Sequence, residues 1–255
     1  MLKKRLIGTV TVKNGWAVQS FGYSRYLPLG RPEVIVQNLD RWGADEILIQ
    51  CIDRSNQGLG PDFNVLKNIS RLGISTPLIY AGGVRGTEDA RMVINKGADR
   101  VMIDFALRNN PESIKAIALD LGAQALIANL LVRSHKDVLL TLDYVSGIET
   151  PVTEAIAVIP ISWVSEILIT DWSNEGHFEA FNINIQKLSE IIKKPLICFG
   201  GISTAKQIKG LLDIPQVVGV GVGNFLNYKE HALQSIKEIL VGSELRPPYY
   251  EGQKA

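Results

Sequence analysis

Pro77-Leu78-Ile79-Tyr80-Ala81-Gly82-Gly83-Val84 returns 118 residues later as Pro195-Leu196-Ile197-Cys198-Phe199-Gly200-Gly201-Ile202. Each copy is an apolar run of strand length closed by a glycine pair. Glu46-Ile47-Leu48-Ile49 and Glu166-Ile167-Leu168-Ile169 repeat at an offset of 120, as do Asp104-Phe105 and Asn224-Phe225. Three pairs in one order at nearly one spacing suggest two copies of a half-domain. Apolar strands that end in Gly-Gly before a helix are also phosphate cradles in barrel enzymes.

Working outward, short apolar runs alternate with amphipathic stretches. The expected strands are 5–11, 46–52, 77–81, 100–104, 124–130, 166–171, 195–199 and 217–222. Helical patterns lie near 32–43, 61–72, 87–97, 111–121, 151–162, 181–193, 204–212 and 228–240. Eight strands, each followed by a helix, predict a parallel sheet, and eight such units in 255 residues predict an α/β (βα)8 TIM barrel. The half-repeats fall at about 1–122 and 123–242, within a single domain spanning 1–255. The tail from Arg246-Pro247-Pro248-Tyr249-Tyr250 reads as a C-terminal extension. Loops from Lys13 to Pro32 and from Arg133 to Gly147 are longer than a barrel needs, and Val138-Leu139-Leu140-Thr141-Leu142 predicts a strand inside the second.

The composition removes several classes. A net charge of +1 gives no footprint for nucleic acid or an anionic membrane, and no apolar run reaches bilayer length. Leu6-Ile7-Gly8-Thr9-Val10 reads as a first strand rather than a signal peptide. Cys51 and Cys198 read as isolated buried thiols, which fits a reducing cytoplasm. His135, His177 and His231 lack metal-ligand spacing, so neither metal nor cofactor is expected.

Gly200-Gly201-Ile202-Ser203-Thr204 opens a helix after strand 7, and Gly221-Val222-Gly223-Asn224 follows strand 8, the usual barrel phosphate position. A phosphate-bearing ligand is expected on Gly200, Gly201, Gly223 and Asn224, although glycines also serve tight turns with no ligand. The first-half copy, Gly82 and Gly83, faces Asp104-Phe105, where a carboxylate opposes phosphate unless it is paired. Arg85 is the candidate partner for Asp104 or for a ligand.

The order, the half-repeat, Lys4-Arg5-Leu6-Ile7, Val12-Lys13-Asn14-Gly15 and the lead-ins Gly43-Ala44-Asp45 and Gly97-Ala98-Asp99 resemble the HisF family over roughly residues 1–240. That family is the cyclase subunit of imidazole glycerol phosphate synthase. The resemblance implies two aspartates for acid–base catalysis, at the ends of strands 1 and 5. Here those positions read Thr11 and Leu130, and no carboxylate falls from Ala123 to Lys136. Threonine does not titrate near neutral pH and leucine does not titrate at all. The family's basic residue after strand 1 is Gln19, and its strand 2 aspartate is Cys51. No catalytic residue of the family pattern therefore remains, and Asp53, Asp143, Asp171 and Glu175 are the fallback acids.

Arg5, Glu46, Arg100 and Glu166 begin strands 1, 2, 4 and 6, and their charges sum to zero. Charges facing a barrel axis need partners, so a closed ring of ion pairs at the barrel bottom is expected. The resemblance implies more: in HisF these positions gate ammonia entering from a docked HisH-like glutaminase, and Asp99 and Gln124 match the docking face. It also implies a context, because HisF-like and HisH-like proteins accompany sugar amidotransferases in bacterial surface polysaccharide synthesis. The expected function is thus a cyclase-deficient HisF-like subunit. It would activate a glutaminase on the bottom face and channel ammonia to a sugar amidotransferase at the top. A working cyclase of histidine biosynthesis with relocated acids, a stand-alone phosphosugar isomerase and a pure scaffold remain as alternatives.

Overall fold

In a computed structural model of the chain, described for residues 4–229, 231–240, 242 and 245–248, the apolar runs form eight strands. They are β1 Arg5–Lys13, β2 Glu46–Cys51, β3 Leu78–Ala81, β4 Arg100–Ile103, β5 Leu126–His135, β6 Glu166–Asp171, β7 Leu196–Phe199 and β8 Val217–Val222. Each pairs in parallel with its neighbours, β8 pairs with β1, and the barrel is closed. Helices between the strands complete a (βα)8 TIM barrel.

The strands are largely apolar because both of their faces are buried. Ile7, Leu48, Ile79, Met102, Ile127, Leu168, Ile197 and Phe199 point into the barrel. Their neighbours, among them Leu6, Ile47, Ile49, Leu130, Ile169 and Val220, pack outward beneath the helices. Both half-repeats share one register: Ile7 lies beside Glu46 and Thr11 beside Gln50, as Ile127 lies beside Glu166 and Leu131 beside Thr170.

Several expected boundaries move for local reasons. The helix expected at 151–162 ends at Val158, since Pro160 follows and Ile161–Trp163 tightens into a 3-10 turn. The helix expected from 181 begins at Ile185, where the Asn184 side chain accepts the Lys187 N–H. The helix expected from 228 runs over Ala232–Ile239.

The two long loops are hairpins. β1 and β5 run on past the barrel rim and turn back. The first excursion, expected as a loop, is the pair Trp16–Phe21 and Arg25–Gly30, entered through Asn14 and Gly15, both at positive φ. The second, Val138–Asp143 and Ile148–Pro151, contains the expected strand and is entered through Lys136 and Asp137, again both at positive φ. Two consecutive positive-φ residues give the turn whose twist matches a hairpin. Just before the tail Leu245 bridges Lys4, while Tyr249 and Tyr250 of the tail lie outside the described residues.

Candidate functional site

At the barrel bottom the four strand-initial charges meet. Arg5 donates to Glu46 at 3.3 Å and to Glu166 at 2.8 Å, and Arg100 lies 2.8 Å from Glu166 and 3.5 Å from Glu46. Each carboxylate thus sits between two guanidinium groups. The side chains are at most 17% exposed, and the ring closes the barrel floor. Burial raises the Glu46 pKa against the pull of Arg5 and Arg100, and among the described residues Glu46 Oε2 and Arg5 Nε find no hydrogen-bond partner. Arg100 also holds the Gln124 carbonyl and the Ser165 hydroxyl. Gln124 and Asp99 are exposed beside the ring, and Asp99 accepts the Leu78 N–H.

Above the ring lies a cavity of about 10 Å³ walled by Ile7, Leu48, Ile79, Met102, Ile127, Leu168 and Ile197, with Thr9 and Gly221. That is room for about one water-sized molecule. Thr9 Oγ1 is buried there without a partner. Met102 also lines the larger pocket above and separates the two spaces.

That upper pocket, about 310 Å³, opens at the C-terminal ends of the strands. Tyr23 and Tyr26 of the first hairpin and Leu142 and Tyr144 beside the second form its sides, with Gln50, Cys51, Gly82, Gly83, Asp104, Asn129, Leu131 and Trp172. Thr11 points inward on β1. The residue that mirrors it is Leu131, not Leu130: Leu130 packs under the helices, because one residue along a strand reverses the face. Both candidate positions are leucine, so no carboxylate appears at that level of β5.

The fallback acids are tied to backbone and neighbouring side chains. Asp171 is fully buried and accepts from Ser173, Asn174 and the Asn182 N–H. Glu175 accepts from Ser20 and the Tyr23 N–H, with its pKa raised by desolvation. Asp53 holds the Asn14 N–H in the hairpin turn, and Asp143 holds the Val145 N–H and the Ser146 hydroxyl. Gln19 is buried in the first hairpin. Cys51 carries a thiol pushed up to about 12 by burial, and burial raises Cys198 as well, so neither is a nucleophile at neutral pH.

The glycine pairs have a structural cause. A Cβ on Gly82 would lie 2.3 Å from the Cys51 carbonyl oxygen, and one on Gly200 would lie 2.4 Å from that of Asp171, both at positive φ. Gly200, Gly201, Gly223 and Asn224 do line one small cavity of about 40 Å³, together with Glu175 and Ser203. Of the donors around it, the Ser203 and Thr204 N–H groups are taken by Gln207 Oε1, and Asn224 Nδ2 donates to the Ser20 carbonyl. Gly82 and Gly83 line the same pocket as Asp104, and Arg85 pairs with Asp89 rather than with Asp104.

Sequence reading passed over Thr9, Tyr23, Asn129, Tyr144 and Trp172. Thr9 and Asn129 did carry a signal, as polar residues inside otherwise apolar strands. Among the described residues no cluster of metal-ligating side chains occurs, and no helix is long and apolar enough to cross a membrane.

Curated relatives span nearly the whole chain. One is a protein of Vibrio vulnificus strain YJ016 named putative imidazole glycerol phosphate synthase subunit hisF2, 26% identical over 96% of this chain and 91% of its own length. A Leptospira interrogans protein named putative imidazole glycerol phosphate synthase subunit HisF is 26% identical over 90% of this chain and 92% of its own. The HisF subunit of Exiguobacterium sibiricum is 27% identical over 82% and 84%. The sequence model of the family described as "Histidine biosynthesis protein" matches residues 5–232. With that match across a closed (βα)8 barrel, the chain belongs to the histidine biosynthesis protein family, in its HisF-like branch.

Proposed function

We propose that this chain is the HisF-like subunit of a glutamine-dependent amidotransferase complex, a conduit for ammonia that has lost its own cyclase reaction. A HisH-like glutaminase docks around Asp99 and Gln124, and ammonia enters through Arg5, Glu46, Arg100 and Glu166. A sugar amidotransferase on the top face receives it and amidinates a sugar for a bacterial surface polysaccharide. The last step rests on the resemblance alone.

The observation that carries the reading is the contrast between the barrel's two ends. The charged ring is complete at the bottom, and an apolar space lies directly above it. At the top, the inward positions that would hold paired acids are Thr11 and Leu131. General acids and bases contribute about 100- to 10,000-fold each, so their absence ends cyclisation at a useful rate. An apolar passage suits ammonia because it excludes the water that would protonate it. Ring side chains this enclosed must swing aside for a molecule to pass, which ties entry to glutaminase docking.

The test uses the chain with its glutaminase and a coupled acceptor enzyme. Arg5→Ala and Glu46→Ala should leave glutamine hydrolysis stimulated while amidated product falls about tenfold or more. Normal formation of imidazole glycerol phosphate from the ribulosyl intermediate by the unaltered pair would sink the proposal. Genes for a glutaminase and an ATP-using sugar amidotransferase beside this one would support it, and a histidine operon would oppose it.

A further inference from the structure

The upper pocket has the wrong charge for the phosphate that its glycines suggest. Among the described residues its lining contains one carboxylate, Asp104, and no lysine, arginine or histidine. Of the bases nearby, Arg85 pairs with Asp89, while Arg108 donates to the neutral Thr141 hydroxyl at 2.5 Å and its charge still acts on Asp104. Asp104 stands at the N-cap of the short helix Phe105–Asn109, yet its side chain makes no capping bond. Among the described residues its one hydrogen-bond donor is Asn129 Nδ2, at 3.1 Å. Asn129 is held in that orientation by Thr170, whose hydroxyl donates to Asn129 Oδ1 at 2.8 Å. Asp104 Oδ1 thus has no protein donor, and the carboxyl faces a cavity in which Tyr23, Tyr144 and Trp172 offer aromatic walls.

Desolvation pushes the Asp104 pKa up to about 7, against the lowering pull of Arg108 and Asn129, and Asp143 adds to the rise. Burial raises the Tyr23 hydroxyl, with the Glu175 and then the Asp104 charge adding to it, and burial and the Asp104 charge raise the Tyr144 hydroxyl, so both keep their protons. An anion would meet this carboxylate with no base in the pocket lining, and a neutral ligand would leave Arg108, which is not part of that lining, as its opposing charge. A cation in the pocket adds a counter-charge beside the carboxyl, and aromatic rings add to the attraction.

We propose that the upper pocket is a binding site for a small organic cation, an ammonium or amidinium head on a ring-sized body, with Asp104 beneath the head and Tyr23, Tyr144 and Trp172 around it. The site does not depend on the conduit reading, because a chain that passes no ammonia could still hold the cation here.

Three probes of one shape test it on the intact chain: benzylammonium, benzyl alcohol and benzoate, titrated calorimetrically at pH 8. Benzylammonium should bind at least about tenfold more tightly than benzyl alcohol, and benzoate more weakly than both. Asp104→Asn should erase that order, whereas Asp213→Asn, at an exposed ion pair outside the pocket lining, should leave it intact. Without any substitution, the cation's advantage should shrink at pH 5.5 as Asp104 takes its proton. Arg108 and Asp143 act on its charge, Cys51, Tyr23, Tyr26 and Tyr144 line the same pocket, and Glu175 holds the Tyr23 N–H. Equal or tighter binding of benzoate or inorganic phosphate would overturn the proposal. So would a charge preference that survives Asp104→Asn, or no binding by any of the three probes.

Discussion

Asp104 holds its proton more tightly in the folded chain than in the unfolded one, and that has a consequence for stability. Its folded pKa is raised from 3.8 to about 7. Between those values the native state keeps a proton that the unfolded state has released, so this group's contribution falls as pH rises through that window. The full shift corresponds to about 4 kcal/mol at 1.36 kcal/mol per unit, and water reaching the pocket reduces it to about 2 kcal/mol. Asp104→Asn removes the charge and retains an acceptor for Asn129. The variant should therefore be more stable than the parent by about 2 kcal/mol at pH 8, or roughly 5 °C in melting temperature. The gain should fade towards zero near pH 4. Melting curves across that range read the effect, and a gain that grows with acidity would refute the assignment of the titrating group.

Each element shows what a local sequence pattern encodes and what it hides. The C-terminal helix Ala232–Ile239 is fastened to the barrel by Lys237, whose ammonium donates to Asp45 at 2.7 Å and to the Gly43 carbonyl at 2.8 Å. Both charged side chains are at most 2% exposed. Burial lowers the Lys237 pKa while Asp45 opposes the shift, so the pair is held against a desolvation penalty. Lys237→Met leaves the carboxylate without its cation and should cost about 3–5 kcal/mol in denaturant unfolding. Adding Asp45→Asn, which still accepts the Leu6 N–H, should recover much of that loss. No window of sequence reveals this pair, because its members lie 192 positions apart. The eight strands were legible because strands buried on both faces are apolar runs of distinctive length. The first hairpin was not read, although Asn14-Gly15 is a strong turn signal, because its second arm, Arg25–Gly30, is polar and partly exposed. The ring residues were legible as charges at strand starts. The counterpart of Thr11 slipped from Leu131 to Leu130, since the adjacent leucines of the Leu130-Leu131-Val132 run carry no alternation to fix the face.

At the scale of the molecule, the barrel joins a charged floor to a polar pocket through one narrow column of side chains. Thr9 stands in that column with a buried hydroxyl that finds no partner. An unsatisfied buried hydroxyl costs about 1–3 kcal/mol, so Thr9→Val, which keeps the shape and removes the hydroxyl, should stabilise the chain by about 1 kcal/mol. Thr9→Met instead extends into the cavity of about 10 Å³, which has no spare room for a longer side chain. Overpacking of this kind costs about 1–3 kcal/mol, which a barrel with a core of this extent should withstand. The two variants separate a conduit from a scaffold. If ammonia rises through the column, Thr9→Met should keep glutaminase stimulation while amidated product falls about tenfold, and Thr9→Val should transfer within about twofold of the parent. If the chain only props up its partner, both variants should match the parent in hydrolysis and in product. Melting curves establish that each variant is folded, and glutamate release measured beside amidated product gives the ratio that decides. Unchanged product from a folded Thr9→Met chain would place the ammonia route outside the barrel interior.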